Sequence, residues 1–216
     1  MKHSPDWRIL LISLILLSEF SVCGQAWNFR KEKDGIKIYT REEAGKTLKS
    51  YRGIADINAP ADKVFAMMED INHTEWWDKN ITQIKILLYE KNKRAQYYLV
   101  YDLPWPVIDR DICVDVTIQT NPVTGERKIT AIPVDGIIPE KKDKVRIKDY
   151  LQSWSIMPEG ENKTHVVLEG FVDPAGSIPE WISNMLIVES PVKSISGVKE
   201  KLEGKVTTSA QSKTGK

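Results

Sequence analysis

Hydrophobic and polar positions alternate along much of the chain, a pattern that predicts a strand-rich protein. Residues 36–41 and 48–57 are β-rich and lie on either side of a turn around Gly45, so they predict a hairpin. Asn58 and Pro60 then favour the start of a helix, because asparagine caps free backbone amides and proline fits the first turn. Further strands are predicted at residues 82–90, 94–103, 110–119, 128–133, 145–157 and 163–172.

The apolar spacing changes near the C-terminus. From Ser177 onwards, apolar residues recur every three or four positions, which predicts one long amphipathic helix that Pro191 should kink. The stripe consists of Ile178, Trp181, Ile182, Met185, Val188, Val192, Ile195, Val198 and Leu202. This order of elements predicts an α+β domain, with helices on one face of a single curved antiparallel sheet. A space between sheet and helix would suit a small apolar ligand.

The first 26 residues have the pattern of a secretory signal peptide. Lys2 and Arg8 supply positive charge, and the apolar run 9–17 is shorter than the roughly 20 residues that a membrane span needs. We therefore expect export, to the periplasm or as a secreted protein. A lipoprotein anchor at Cys23 is the alternative.

Charge and cysteine content add two expectations for the remaining chain. The net charge of +1 gives no reason to expect nucleic acid as a partner. Loss of the signal leaves Cys113 as the single cysteine, so no intramolecular disulfide can form. We expect one domain over residues 27–203 and a disordered polar tail over 204–216.

Four segments in a fixed order resemble one known family. They are EWWDKNI with Trp77 and Asp78, LPWPVIDRDICV with Arg110 and Asp111, VRIKDYLQSW at 145–154, and DPAGSIPEWISN before the last helix. Over roughly residues 27–202 the chain is similar to the START lipid-transfer domains. The resemblance implies a helix-grip fold, in which a curved antiparallel sheet wraps around a long C-terminal helix and encloses an apolar tunnel.

The same resemblance implies a function. A member of this family would bind one hydrophobic lipid, a phospholipid or similar, and exchange it with membranes without catalysis, cofactor or metal. The expected partners are the lipid and a transient membrane surface, and the chain is expected to be a monomer. Two alternatives remain open, an enzyme of the same superfamily (a cyclase or hydrolase) and a lipid-sensing interaction module.

The Arg110-Asp111 pair has two interpretations. One of these charges could pair with another motif charge, such as Arg146, and fix the edge of the sheet. Alternatively, the Arg110 guanidinium could bind a headgroup phosphate. Val116 stands where sterol-binding members carry an arginine, so the resemblance does not extend to sterol specificity.

Aromatic and helical residues complete the candidate lipid contacts. Trp105, between two prolines, is expected to be an apolar plug, whereas Trp154 and Trp181 are expected in the core and secondarily as ligand contacts. The loop 134–144 is either a solvated loop or a membrane-dipping gate. The candidates on the last helix are Met185, Val188 and Val192.

Catalytic chemistry has few candidates in the sequence. His73 is expected to be solvated, and His165 is expected to pair with Glu169 on the outer face of a strand. Cys113 has no activating neighbour in sequence. No spacing of histidine and cysteine resembles a metal site, so neither catalytic nor metal-binding residues are predicted.

Overall fold

The computed structural model describes residues 26–46, 48–74, 76–176 and 178–204. Residues 1–25 of the predicted signal peptide, including Cys23, and residues 205–216 of the predicted polar tail lie outside the described residues. Within these residues the chain forms ten strands, β1 (Asn28–Lys33), β2 (Ile36–Arg41), β3 (Ser50–Ile57), β4 (Ile81–Glu90), β5 (Arg94–Tyr101), β6 (Arg110–Thr120), β7 (Arg127–Pro133), β8 (Val145–Arg146), β9 (Asp149–Pro158) and β10 (Thr164–Asp173).

All ten strands belong to one sheet in the described part of the chain. Its order is β1-β2-β3-β10-β9-β7-β6-β5-β4, and every neighbouring pair is antiparallel. The short β8 lies off this path and pairs with β6 in parallel. The sheet and the C-terminal helix confirm the predicted α+β helix-grip fold.

Helical segments cover one face of the sheet. They are α1 (Ala61–Glu69), α2 (Glu180–Asn184), a π-helical turn (Met185–Glu189) and α3 (Ser190–Glu203). The α1 helix begins after Pro60 as expected, but the Asn58 side chain does not cap it. Instead, the Asn58 backbone amide donates to Glu203 Oε1 at 2.6 Å and so joins α1 to the end of α3.

The core lies between α3 and the first half of the sheet. Alternate residues of β2, β3 and β10 point at the helices, and they include fully buried Ile38, Ile57 and Val166. From α3, Ile195 and Val198 enter the same cluster with no exposed surface. This arrangement confirms that the apolar stripe faces the sheet over its C-terminal part, from Val188 to Val198.

Gly197 allows α3 to approach the loop after α1. A Cβ atom at this position would lie 2.3 Å from the Trp76 carbonyl oxygen, much closer than van der Waals contact. Gly197→Ala is therefore expected to lower the free energy of unfolding by about 1–3 kcal/mol, although alanine is intrinsically better in a helix by about 1 kcal/mol. Denaturant melts would measure the change. The neighbouring Ser196→Ala is the control and should be neutral or slightly stabilising, and equal effects would contradict the close approach.

Candidate functional site

A cavity lies between the concave face of the sheet and the C-terminal helical segments. The space between these elements, counted together with the open solvent at its mouth, is about 1320 Å³. Most of its wall is aliphatic or aromatic, as in Tyr97, Leu99, Ile112, Val114, Ala131 and Leu186. Its wall also includes the polar or charged residues Asp78, Tyr101, Arg110, Gln152 and Ser194 and the tyrosine Tyr150. An apolar wall with a few polar groups is typical of a small-molecule binding site.

Side chains alternate between the two faces of the sheet along β5 and β6, and this alternation decides which of them enter the cavity. On β5, Tyr97 and Tyr101 line it, whereas Tyr98 belongs to a separate cluster on the outer face. On β6, Arg110 lines the cavity, and the next residue, Asp111, points to the outer face. Successive side chains of a strand point to opposite faces of the sheet. The Arg110 guanidinium therefore lies at the cavity, and the Asp111 carboxylate lies on the outer face.

Asp111 forms a buried ion pair on the outer face. Arg146 donates to both of its carboxylate oxygens at 2.8 and 3.0 Å, and the Tyr98 hydroxyl donates at 2.9 Å. Burial alone would raise the pKa of Asp111, but the bonds from Arg146 and Tyr98 outweigh it and lower that pKa. The hypothesis that Asp111 pairs with Arg146 is confirmed.

Arg146 also holds the loop 134–144. Its guanidinium donates to the carbonyls of Ile138 at 3.0 Å and Pro139 at 3.3 Å, and Ile138 packs against the outer-face cluster. No residue of this loop lines the cavity. The loop covers the outer face of the sheet, so the structure gives no support to its role as a gate.

Arg110 is buried, and in the described residues it forms no ion pair. Its guanidinium donates to the carbonyls of Pro174 at 2.8 Å, Ala175 at 2.9 Å and Ile108. Desolvation lowers the pKa of Arg110. Arg110 therefore joins the β5–β6 loop to the segment before α2, beside the cavity. Three of its five N–H groups are used in these bonds.

Asp78 is a second buried charge in the cavity wall, with 6% of its surface exposed. Its carboxylate accepts hydrogen bonds from the Ser190 hydroxyl at 2.6 Å, the Tyr101 hydroxyl at 2.7 Å and the Asn80 amide at 3.1 Å. Burial, followed by the neighbouring Asp78 charge, raises the pKa of Tyr101 well above its usual range. The sequence singled out Asp78 as a motif residue but not as a site residue.

The three candidate tryptophans have different surroundings. Trp154 is buried and lines the cavity, and its ring packs edge-to-face against that of Trp76, with the ring centroids 6.2 Å apart. Trp181 was expected in the core but is 51% exposed. The reason is that Ile182 takes the buried position of the short α2, and the adjacent residue lies about 100° around a helix. Trp105 is 90% exposed in the β5–β6 loop and does not line the cavity.

The π-helical turn shifts the apolar stripe of the last helix. The Ser190 amide donates to the Met185 carbonyl, five residues back, so this turn holds one residue more than an α-turn. As a result, Leu186 and Ser194 line the cavity, and the sequence reasoning missed both. The three lipid contacts predicted on this helix do not line the cavity, since Val188 and Val192 are buried in the core cluster and Met185 is partly buried outside the cavity wall.

Val116 lines the cavity, at the position where sterol-binding members of the resembled family carry an arginine. Its side chain packs against a buried apolar cluster formed by Ala95, Tyr97, Ile112, Val114, Ile147 and Val172. This part of the wall is therefore apolar in the present chain.

The two described histidines, His73 and His165, and Cys113 lie away from the cavity wall. His73 is 65% exposed and contacts Asp70 at 2.7 Å, as expected for a solvated residue. The pairing of His165 with Glu169 was wrong, since His165 contacts Asp56 on β3 at 2.7 Å. Four residues along a strand span about 13 Å, whereas a cross-strand neighbour is adjacent.

The described part of the chain lacks both a candidate metal site and a membrane-spanning helix. No group of three or more histidine, cysteine, aspartate or glutamate side chains there is arranged to hold a metal ion. No helix in the same residues combines the length and apolar character needed to cross a membrane. Cys113 is a buried free thiol.

Comparison with known proteins gives related sequences and related structures. No family model matches the chain. An uncharacterized protein of Pseudomonas aeruginosa is 32% identical over 200 residues, which cover 90% of this chain and 98% of the relative. The phosphatidylcholine transfer protein of Rattus norvegicus is 27% identical over 175 residues, covering 78% of this chain and 79% of the relative.

A solved structure shows the same fold. The crystal structure of a STAR-related lipid transfer protein from Xanthomonas axonopodis matches with a TM-score of 0.72 and 28% identity, covering 82% of this chain and 98% of that one. Together with the relatives, the ordered motifs and the sheet that curves around the last helix, this match identifies the family. The chain belongs to the START domain family.

Proposed function

We propose that this protein binds one lipid, a phospholipid or a similar molecule, in the cavity and exchanges it with membranes without covalent chemistry. The observation that carries the proposal is the cavity itself, whose wall is mostly apolar and whose polar groups include Asp78 and Arg110. An amphipathic ligand would match this division, with its acyl chains on the aliphatic wall and its headgroup at the charges.

The energetics of exchange favour such a carrier. Each methylene of an acyl chain that leaves water gains about 0.8 kcal/mol, in the cavity as in the bilayer. Transfer from a membrane into an apolar cavity therefore changes the hydrophobic free energy little. The remaining cost is the opening of the cavity.

A membrane surface is the proposed partner of the cavity mouth. Trp105, Ile108 and Trp181 are 90%, 57% and 51% exposed, and they lie on two segments that Arg110 joins. Exposed tryptophans favour the interface between water and lipid, since their rings are apolar and their N–H groups polar. We propose that the protein acts as a monomer that docks by these residues.

The last helix is the proposed gate. Its π-helical turn and Pro191 both interrupt regular α-helical hydrogen bonding beside the cavity. The bond from Ser190 to Asp78 joins this region to the opposite wall. Opening would break that bond and widen the cavity.

The carrier is better supported than a cyclase or hydrolase that uses the same cavity. Neither described histidine lines the cavity, and the Asp78 carboxylate is occupied by hydrogen bonds from the hydroxyls of Tyr101 and of Ser190, a residue that does not itself line the cavity. An acid–base mechanism needs such groups to converge on the substrate. We therefore propose a non-enzymatic function, without a cofactor. We also propose export, because residues 1–26 have the pattern of a signal peptide, and fractionation of the producing cell would test it.

Native mass spectrometry of the chain without residues 1–26, before and after incubation with mixed phospholipid vesicles, tests the proposed function. We expect a discrete adduct of one lipid per chain and, in a second assay, movement of labelled lipid from donor to acceptor vesicles. A protein that forms no adduct and moves no lipid would contradict the proposal.

A further inference from the structure

Four aromatic rings form a continuous row on the concave side of the sheet. Trp154 on β9 packs against Trp76 with ring centroids 6.2 Å apart, and Trp76 packs against Trp77 at 5.9 Å. Trp77 in turn packs against Tyr97 on β5 at 5.6 Å. The three contacts are edge-to-face, with interplanar angles of 81°, 79° and 87°. Because β7 and β6 lie between β9 and β5 in the sheet, this aromatic row crosses the width of two strands.

The aromatic row joins two buried clusters that border the cavity. Trp76 and Trp154 belong to the cluster that includes residues of α1 and α3, whereas Tyr97 belongs to the cluster on β5 and β6. Trp77 packs against both clusters, and all four rings line the cavity. Rings that are held by close packing at both ends of the row cannot move aside without disturbing those clusters.

The distance from the cavity mouth to the aromatic row follows from the strand positions. On β5, Tyr101 pairs in register with Arg110, where the headgroup is proposed to lie, and Tyr97 is four residues deeper. On β9, the lining residues Tyr150 and Trp154 are also four residues apart. Four strand residues span about 13 Å. Since each residue contributes three backbone bonds, an extended acyl chain of about twelve carbons has this length.

We propose that the aromatic row is a stop for the acyl chains and makes the cavity selective for lipids with chains of about twelve to fourteen carbons over longer ones. This inference rests on the proposed lipid-binding function. A longer chain has to fold back or leave its end in water, and there it loses the hydrophobic free energy that it has in a bilayer. Additional methylenes therefore favour the bilayer over the cavity.

Trp76 is the ring of the row that suits a test by substitution. Its side chain is in the middle of the row, and its residue is only 8% exposed. Its indole Nε1 has no hydrogen-bond acceptor among the described residues, so replacing the indole leaves no acceptor without a donor. Trp76→Leu interrupts the row and lengthens the apolar path.

A competition experiment with this variant tests the stop. The protein is incubated with vesicles that hold equimolar dilauroyl and dioleoyl forms of one phospholipid, and bound lipids are counted by native mass spectrometry. Choline, ethanolamine and glycerol headgroups are tested in parallel. We expect the bound ratio to shift at least tenfold towards the dioleoyl lipid in Trp76→Leu, relative to wild type. The control is Trp27→Leu, which removes an indole that lies against Arg41 and Arg52 and does not line the cavity. It should keep the wild-type ratio.

A series of chain lengths requires no variant and decides the matter if Trp76→Leu does not fold. Wild-type protein is equilibrated with one host bilayer that contains traces of phospholipids with saturated chains from lauroyl to stearoyl. In an unobstructed cavity a methylene gains as much as in the bilayer, so all lengths would partition equally. We expect the partition into the protein to fall at least tenfold from the lauroyl to the stearoyl lipid.

Two results would overturn the stop and leave the lipid carrier intact. One is equal partition of all chain lengths into the wild-type protein, and the other is an unchanged ratio in folded Trp76→Leu. Uptake of none of these lipids would overturn the proposed function as well.

Discussion

Arg146→Met is expected to lower the free energy of unfolding by about 3–5 kcal/mol, because it leaves the Asp111 carboxylate buried without its cation. Only 5% of the Arg146 side chain and 1% of the Asp111 side chain are exposed, so water cannot replace the lost partner. The carbonyls of Ile138 and Pro139 would lose their donor in the same variant. Chemical denaturation followed by tryptophan fluorescence would measure the change.

The matched control is Lys148→Met, two residues further along. It removes a cation that also pairs with a carboxylate, that of Glu140, but both side chains are about 60% exposed. Solvent screens such a pair, so the stability should change little. If the two variants lost similar amounts of unfolding free energy, burial would not make the Asp111–Arg146 pair more important for stability than an exposed pair.

The stability difference between wild type and Arg146→Met should depend on pH. The pKa of Asp111 is lowered in the folded state, so its pair with Arg146 stabilises the protein above the unfolded pKa of about 3.9. That stabilisation is lost as the pH falls through the folded pKa. Arg146→Met has no such pair to lose. The difference in stability between wild type and variant should therefore shrink as the pH is lowered below about 4.

The pairing of Asp111 with Arg146 could be predicted from sequence, but the separate role of Arg110 could not. The motif placed two charges at a strand start, and a second motif supplied a candidate partner. Which neighbour faces the cavity depends on how the sheet curves around α3. A strand pattern shows that adjacent residues face opposite ways without showing which side is concave.

The first strand can be recognised from its turn rather than from its own side chains. Most side chains of β1 (Asn28–Lys33) are exposed, so no apolar alternation marks this edge strand. However, Asp34 and Gly35 follow it, and both have positive φ angles, 52° and 75°. Aspartate followed by glycine is a strong signal for a tight hairpin turn. The turn, rather than the strand, could have predicted this hairpin.

Trp181 and Asp78 could not be assigned correctly from the sequence, for a shared reason. The helical stripe placed Trp181 inside, but the π-helical turn and the short α2 set its actual direction. Asp78 lies in a motif, but its place in the cavity wall is visible only once Tyr101 and Ser190 are brought to it. In both cases the deciding geometry exists only in the folded chain, and neither the spacing of apolar residues nor the motif itself reveals it.

Ala131→Trp is expected to reduce lipid occupancy more than tenfold, because the indole would fill the space proposed for the acyl chains. Ala131 lies on β7 and lines the cavity beside Ile129. The enclosed space can accept part of the larger side chain, so unfolding should stay cooperative even if overpacking costs about 1–3 kcal/mol. Native mass spectrometry after vesicle incubation would give the occupancy, and a thermal melt of the same sample would give the stability.

Ile132→Trp is the control for the added indole. It is the next residue of β7, on the opposite face, and 45% of its surface is exposed. It should bind lipid as wild type does, since its side chain cannot reach the cavity through the sheet. If Ala131→Trp unfolds, Val116→Phe places a smaller obstruction in the same wall. Normal loading of a folded, cavity-filled variant would mean that the lipid binds elsewhere on the protein. A selective loss would locate the acyl chains beneath the last helix, since the two tryptophan variants differ only in the face of the strand that they occupy.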